Sequence, residues 1–457
     1  MTRRQALLAT LLGGAAGLQA ARAMAQDEDR RPVPAGGSDT VPPELPDRFP
    51  RYTQYDPTVP VWCITPESGP AIHRFFDTSP ISPSGRYVGL TKLPFDSRMS
   101  VPGDAAEILL VDLETGEQRV VAQTHGWDTQ LGAQVQWGAQ DTELFFNDMD
   151  LTEWRPFGVK LDPISGAGKD LDGTVYVVSP DGRYAASPCL LRTGRTQPGY
   201  GVIAPPEHVP INKGAAADDG VYVTDTSTGE CRLLVSFRQI LETAQPPMDP
   251  DEYSGGAFYG FHVKYNQQGT RIMLVLRWLP EEGDRKRMKR HVITMRADGS
   301  DIRVAIPDSE WSKGGHHPNW CPDGETVMMN LKMDGKTLRF VKAKYDGSDY
   351  GLMSDVVVGS GHPSLHPDGR HIVTDSYLKE PVAFGDGTTP IRLVDLRTAE
   401  SKNLIRIRTE PNYSGPSNEL RVDPHPAWDR SFRRIAFNAC PDGTRRVYIA
   451  DLTEVVG

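Results

Sequence analysis

"HPNWCPDGETVMMN", residues 317–330, opens on His-Pro, passes through a Pro-Asp-Gly turn and ends in an apolar run. Asp and Gly in such a turn supply a side chain that bonds its own backbone and a residue tolerant of positive φ. The short β-favouring run after it reads as a strand. The same grammar returns in "HPSLHPDGRHIVTD" (362–375), "VYVVSPDGRYAASP" (175–188) and "TSPISPSGRYVGLT" (78–91). Weaker copies are "QVQWGAQDTELFFN" (134–147), "HVKYNQQGTRIMLV" (262–275) and "HPAWDRSFRRIAFN" (425–438). Aligned on the apolar residue ten positions after the first, the copies anchor at Val88, Leu144, Ala185, Ile272, Val327, Ile372 and Ile435. Their first residues are then Thr78, Gln134, Val175, His262, His317, His362 and His425.

Between the copies lies a second recurring element, an apolar strand ending near an Asp or Gly turn, as in "ILLVDLETGE", "VYVTDTSTGE" and "IRLVDLRTAE". Seven of each element predict seven four-stranded units. Short strands repeating every ~40–60 residues define an all-β, seven-bladed β-propeller. The last unit stops soon after its third strand, so "VPVWCIT" (59–65) is expected to close the ring as its outer strand. Closure of that kind removes an open sheet edge. The interval from Val175 to His262 is much longer than the others and holds "QPGYGVIAPPEHVPINKGAAADDG" (197–220), a loop of functional length.

Of the 457 residues, 38% are hydrophobic and 24% charged, with 44 Gly and 38 Pro, which suits a turn-rich globular β protein. A net charge of −10 argues against a nucleic-acid partner, which would need a basic footprint. The one dense basic run, "RKRMKRH" (285–291), reads as a solvated loop. Residues 1–25 carry Arg3-Arg4, a short apolar stretch and "AMA" ending at Ala25, the pattern of a twin-arginine-type signal peptide. A periplasmic or secreted location is expected, with no membrane span in the mature chain. Residues 26–58 form a polar, Pro-rich leader, and 59–457 the propeller. The five cysteines show no C-x-x-C spacing, so a structural zinc knuckle is not expected.

His262, His317, His362 and His425 share the first position of four successive units. With 11 histidines in the whole chain, that coincidence is a poor match to chance. In a propeller this position starts the innermost strand, so the four rings should converge on the channel. Asp423, two residues before His425, adds a carboxylate on the same side of an extended segment. Neutral imidazoles with one carboxylate suit a divalent manganese, zinc, iron or nickel better than calcium, which prefers oxygen ligands. His316 is one residue out of phase and is expected to point away. The loops after the second strands carry Lys92, Arg98, Asn147, Arg155, Arg192, Arg277, Lys332, Tyr377 and Asn438, and the long insertion brings Tyr200 and His208. Together they predict a basic rim on an acidic protein, the electrostatics of an anionic-ligand site.

Over roughly the last 150 residues the sequence resembles the oligogalacturonate lyases, on "GHHPNWCPDGETVMMNLKMDGK", "GHPSLHPDGRHIVTD" and "ELRVDPHPAWDRSFRRIAFNACPDGTRRVYIADL". That resemblance implies a seven-bladed propeller that cleaves uronate oligosaccharides by β-elimination with a manganese-type ion. It matches His317 and His425 to metal-ligand histidines, His262 to a histidine beside the substrate, and His362 to a motif histidine. Asp423 stands where the family has another histidine ligand, and Leu420 where it has a glutamine.

β-Elimination needs the uronate carboxylate neutralised, a base for the C5 proton and a proton for the C4 leaving oxygen. The expected metal ligands are His317, His362, Asp423 and His425, with manganese first and zinc, iron, nickel or calcium open. The expected catalytic residues are His262, Arg277, Lys332 and Tyr377. Gln134, Asn147, Arg192 and Lys92 are expected to bind an acidic oligo- or polysaccharide. The alternative is a non-enzymatic propeller resembling the TolB-type periplasmic platforms, which carry "SPDG" turns without an axial histidine set. A peptidase-type propeller lacks support, since no G-x-S-x-G elbow occurs. A glycoside hydrolase would want two carboxylates across the channel mouth, which the aligned positions do not supply.

Overall fold

The computed structural model describes residues 45, 49–413 and 418–457. The signal-peptide reading of residues 1–25 lies outside them. Seven antiparallel four-stranded sheets follow one another along the chain. They span 71–124, 136–171, 177–236, 256–306, 315–352, 364–408 and 427–451, here blades 1 to 7. The expected ring closure is present: strand Val61–Cys63 pairs antiparallel with Arg446–Asp451 as the fourth strand of blade 7. Phe49 and Tyr52, placed in the leader by composition, are buried, and Tyr52 N–H donates to the Val61 carbonyl at 2.9 Å. No helix among the described residues is long and apolar enough to cross a membrane.

The seven anchor residues all lie in the second strand of their blades, and each is at most 1% exposed. Second strands are sandwiched between neighbouring sheets, which is why they read as unbroken apolar runs; each such side chain contributes roughly 1.5–3 kcal/mol by leaving water. The Pro-Asp-Gly turns work as their chemistry requires. Asp323 Oδ1 accepts from the N–H groups of Glu325 and Thr326 at 3.0 and 2.8 Å, and Gly324 takes φ +71°.

Position one of the repeat is where the innermost strand leaves its ladder. In blade 4 the register slips between Gly260 and Val263, ejecting Phe261 and His262; in blade 5 it slips between His316 and Asn319, ejecting His317. Gln134, His317 and His425 hold φ of 62°, 60° and 52°, a region that costs non-glycine residues about 1 kcal/mol or more. In blade 1 the interruption is larger. Ala71–Ile72 pairs with Thr91–Lys92 and the strand resumes at Ile81 opposite Val88, so residues 73–79 leave the sheet entirely. The ten-residue spacing put Thr78 at position one, but the backbone gripped by the preceding blade belongs to His73.

That grip is an asparagine clamp. Asn147, at 0% exposure, accepts from Val175 N–H at 2.7 Å and donates to the Val175 and Ala133 carbonyls at 2.8 and 3.3 Å. Asn438 treats His73 the same way, at 3.0 and 3.3 Å. Asn330 donates to the Ser360 and Gly361 carbonyls. Each amide thus joins the second strand of one blade to the first of the next. Replacing Asn147 by Ala strands a buried N–H and carbonyl, so a loss of about 2–3 kcal/mol in denaturant-measured stability is expected.

The basic run at 285–291 is only partly solvated. Arg287 is exposed beside Glu282, but His291 is buried, its Nδ1 accepting from Asp308 N–H at 3.2 Å and its Nε2 3.0 Å from the Tyr253 hydroxyl. Burial first, then the Lys289 charge, pushes His291 down to about 4 from the ordinary 6.5. The unfolded chain therefore takes up a proton that the native one refuses between those values. The stabilising contribution is complete above pH 6.5 and declines as pH falls toward 4, at up to about 1.4 kcal/mol per pH unit. His291→Gln should reduce the pH slope of unfolding free energy in that window by this amount and leave it unchanged above 6.5.

Candidate metal centre and anion cavity

The four position-one histidines share a centre, and it is a phenyl ring. Phe75, from the 73–79 excursion, stacks on His262 at 4.7 Å and lies 6.0, 5.7 and 4.7 Å from the rings of His317, His362 and His425. The excursion is held by buried charge: Asp77 lies 3.5 Å from Arg74 and 3.1 Å from Lys264, whose Nζ also donates to the Pro318 carbonyl at 2.8 Å. Burial alone would raise the Asp77 carboxyl, but Lys264 and Arg74 outweigh it and hold it low. Burial pushes Lys264 down to about 8.

On one side of Phe75 the ligand atoms of His362, Asp423 and His425 fall within 4.8 Å of one another, all three residues buried. His362 Nδ1 faces both oxygens of Asp375 at 2.9 Å, which turns Nε2 away from that carboxylate. Asp375 also accepts from the backbone N–H of His362 at 2.6 Å and of His425 at 3.1 Å. Burial would raise this carboxyl; the His362 ring and the two N–H groups hold it below the usual range. His362 Nε2 and both ring nitrogens of His425 are buried without a hydrogen-bond partner. Burial, then His362, His73 and Arg421, drives His425 well below 6.5, which keeps it neutral. Unpartnered imidazole nitrogens beside a carboxylate are donors a divalent cation can use, and a carboxylate behind one of them is the usual outer support. The residues present therefore fit a metal.

His317, the expected fourth ligand, is placed differently. Its ring stacks on that of His362 at 3.8 Å and both nitrogens are engaged: Nδ1 with the Gly361 carbonyl at 2.7 Å, Nε2 with the Tyr377 hydroxyl at 3.2 Å. Burial, then His362 and His316, takes it well below 6.5. Leu420 is buried and offers no side-chain donor atom.

Above the cluster opens a cavity of about 300 Å³ lined by His262, Arg277, His317 and Tyr377 of the expected residues. It is also lined by Gln197, Tyr200, Phe261, Arg290, Trp311, His316 and Arg421, and among the described residues no Asp or Glu is in its walls. His316 thus faces the site, its Nδ1 2.8 Å from that of His317, because the bulge turns both rings inward. Arg421 joins cavity to cluster: Nε is 2.7 Å from Asp423 Oδ2, and Nη2 donates to the Tyr200 hydroxyl at 2.6 Å.

The other expected residues stand outside this cavity. Lys332 is half-buried behind Gly314, and Lys92 pairs with Glu107 at 2.7 Å. Arg192 lies 3.3 Å from Asp219, Gln134 accepts from Arg74 Nε at 3.0 Å, and the Asn147 amide is consumed by its clamp. Five groups escaped the sequence reading: His73, Phe75, Asp375, Arg290 and Arg421. Asp375 ends the quoted motif "HIVTD", where the clamp blades carry Asn, and that exchange was the available signal.

An arginine-lined pocket thus lies beside a histidine–carboxylate cluster at the axis of a seven-bladed propeller. Among solved structures, the fold is similar to an oligogalacturonate lyase in complex with manganese, with TM-score 0.61 and 14% identity, covering 91% of this chain and 98% of that one. It is also similar to an oligogalacturonate lyase from Vibrio parahaemolyticus, with TM-score 0.59 and 16% identity over 88% and 96%. A TolB from Acinetobacter baumannii aligns with TM-score 0.36 and 11% identity over 70% and 63%. No protein-family model and no curated protein matches the chain. At these identities the likeness establishes the architecture.

Asp375→Asn should loosen the hold on the His362 ring and lower affinity for manganese(II) or zinc(II) by about 10–100-fold, measured by direct metal titration.

Proposed function

We propose that this chain is an exported polysaccharide lyase that cleaves a uronate-containing acidic glycan by metal-assisted β-elimination. The observation that carries this reading is the set of unpartnered nitrogens of His362 and His425 beside Asp423, joined through Arg421 to an arginine-lined cavity with no acid among its described walls. A divalent cation held by these three residues would neutralise the uronate carboxylate and acidify its C5 proton.

His262 is the assigned base. Burial, then Lys264 and Arg277, holds it well below 6.5, so it is neutral and able to accept a proton. Its Nδ1 is engaged by the Tyr176 hydroxyl, which leaves Nε2 for the cavity. Tyr377 is the assigned acid. Burial and the Asp423 charge keep its phenol well above 10, so it stays protonated until a leaving oxygen needs the proton. As the C5–H bond breaks to His262, its electrons form the C4–C5 double bond. The C4–O bond then breaks toward an oxygen that receives the Tyr377 proton. Phe261 is the one phenyl ring among the described cavity walls, an apolar face beside the assigned base.

Incubation with pectic, ulvan-like and rhamnose–glucuronate polymers should yield an ultraviolet-absorbing unsaturated uronate on one of them. His262→Ala should lower kcat by about 100-fold or more, and chelation should abolish turnover until manganese(II) is restored. Full activity in His425→Ala, or after chelation, would overturn the assignment.

A further inference from the structure

Arg277 and Arg290 sit directly opposite each other on the ladder between strands Arg271–Pro280 and Lys289–Arg296. Like charges in that position repel, and a sheet ordinarily avoids the pairing. Both guanidinium groups line the cavity, and among the described residues neither makes an ion pair. Arg277 is 6% exposed, with Nε buried and unpartnered. Its Nη1 reaches only neutral acceptors, the Thr196 carbonyl at 3.3 Å and Gln197 Oε1 at 3.1 Å, while its plane lies 3.7 Å above Phe261. Arg290 gives its backbone N–H to Asp308 Oδ1 at 2.8 Å, and that carboxylate only partly offsets the burial that lowers its guanidinium, which makes no ion pair within 4 Å among the described residues. Burial, then the Arg290 charge, pulls Arg277 below its ordinary range, so the pair is under electrostatic stress that an anion would relieve.

We infer that Arg277 and Arg290 form a second anion subsite, distinct from the His362–Asp423–His425 cluster, which grips the acidic substituent of the sugar next to the one being cleaved. Two planar guanidinium groups fit the paired oxygens of a carboxylate or a sulfate ester. The inference rests on the lyase reading for its substrate, and it selects glycans with acidic groups on adjoining residues over those with isolated uronates.

Trp311 shares the cavity, so its fluorescence reports occupancy without turnover. The full chain, with and without manganese(II), would be titrated with digalacturonate, with a sulfated disaccharide and with a neutral disaccharide. At least one acidic probe should saturate the signal while the neutral one does not, and the stronger of the two names the substituent. Arg290→Met should weaken that binding at least about tenfold and Arg290→Lys less, with thermal melting confirming the fold and Trp311→Phe removing the signal. Equal affinity in wild type and Arg290→Met, or no response to either acid, would overturn the subsite. Saturable, Arg290-dependent binding in a protein that never forms unsaturated product would sustain the subsite and sink the lyase reading.

Discussion

Everything at the centre of this propeller depends on one buried carboxylate. Asp375 takes the backbone N–H groups of His362 and His425, which lie ahead of the first paired residues of the inner strands of blades 6 and 7. Left unpaired in a dry channel, each would cost about 1–3 kcal/mol. The same oxygens hold the His362 ring and turn Nε2 away from that carboxylate. Structure and chemistry are thus bound in one residue: the group that lets two blades meet at the axis is also the group that prepares an imidazole to ligate.

The second constraint is dryness. A propeller axis is normally a wet channel, and protonated imidazoles there would repel. Residues 73–79 fill it with Phe75 and Phe76, and the buried Arg74–Asp77–Lys264 set holds that segment in place. Around the Phe75 ring His262, His317 and His425 lose their water, which disfavours their charged forms. The protein carries a net charge of −10 yet faces this site with arginines. Field direction here is set by which side chains are turned inward, against the sign of the whole molecule.

The fold was legible because its signals repeat. Ile272, Val327, Ile372 and Ile435 are buried for the same reason seven times over, and the Asp-Gly turns between strands follow local chemistry. The convergence of four histidines was legible from the same register. What escaped was whatever broke it. Blade 1 carries an insertion inside its inner strand, so constant spacing pointed to Thr78 and missed His73 and Phe75. His316 was assigned by strict alternation, which a β-bulge suspends. Asn147 looked like a rim residue because its strand ends at the rim, but a buried amide beside two backbones is a clamp. Arg290 was hidden in a charge run whose composition says surface, whereas strand register turns one arginine of that run inward beside Arg277.

The distribution of unsatisfied groups favours a reactive site over a presenting surface. Partners dock on rims and loops, and nothing about docking calls for buried, unpartnered nitrogens at the axis. His362 Nε2 and His425 Nδ1 and Nε2 are such atoms beside Phe75, His73 Nδ1 is another on a ring packed against His425, and Arg277 Nε is a further one on a residue of the cavity wall. Each detracts from the stability of the ligand-free chain, as do the positive φ angles of His317 and His425. Buried, unpartnered polar groups also occur elsewhere, at Tyr265, Arg392 and Trp428, but those at the axis are ring nitrogens packed beside a carboxylate. A cation at the imidazoles and an anion at the guanidinium groups would offset them, which is what the metal-bound acidic sugar we propose would supply.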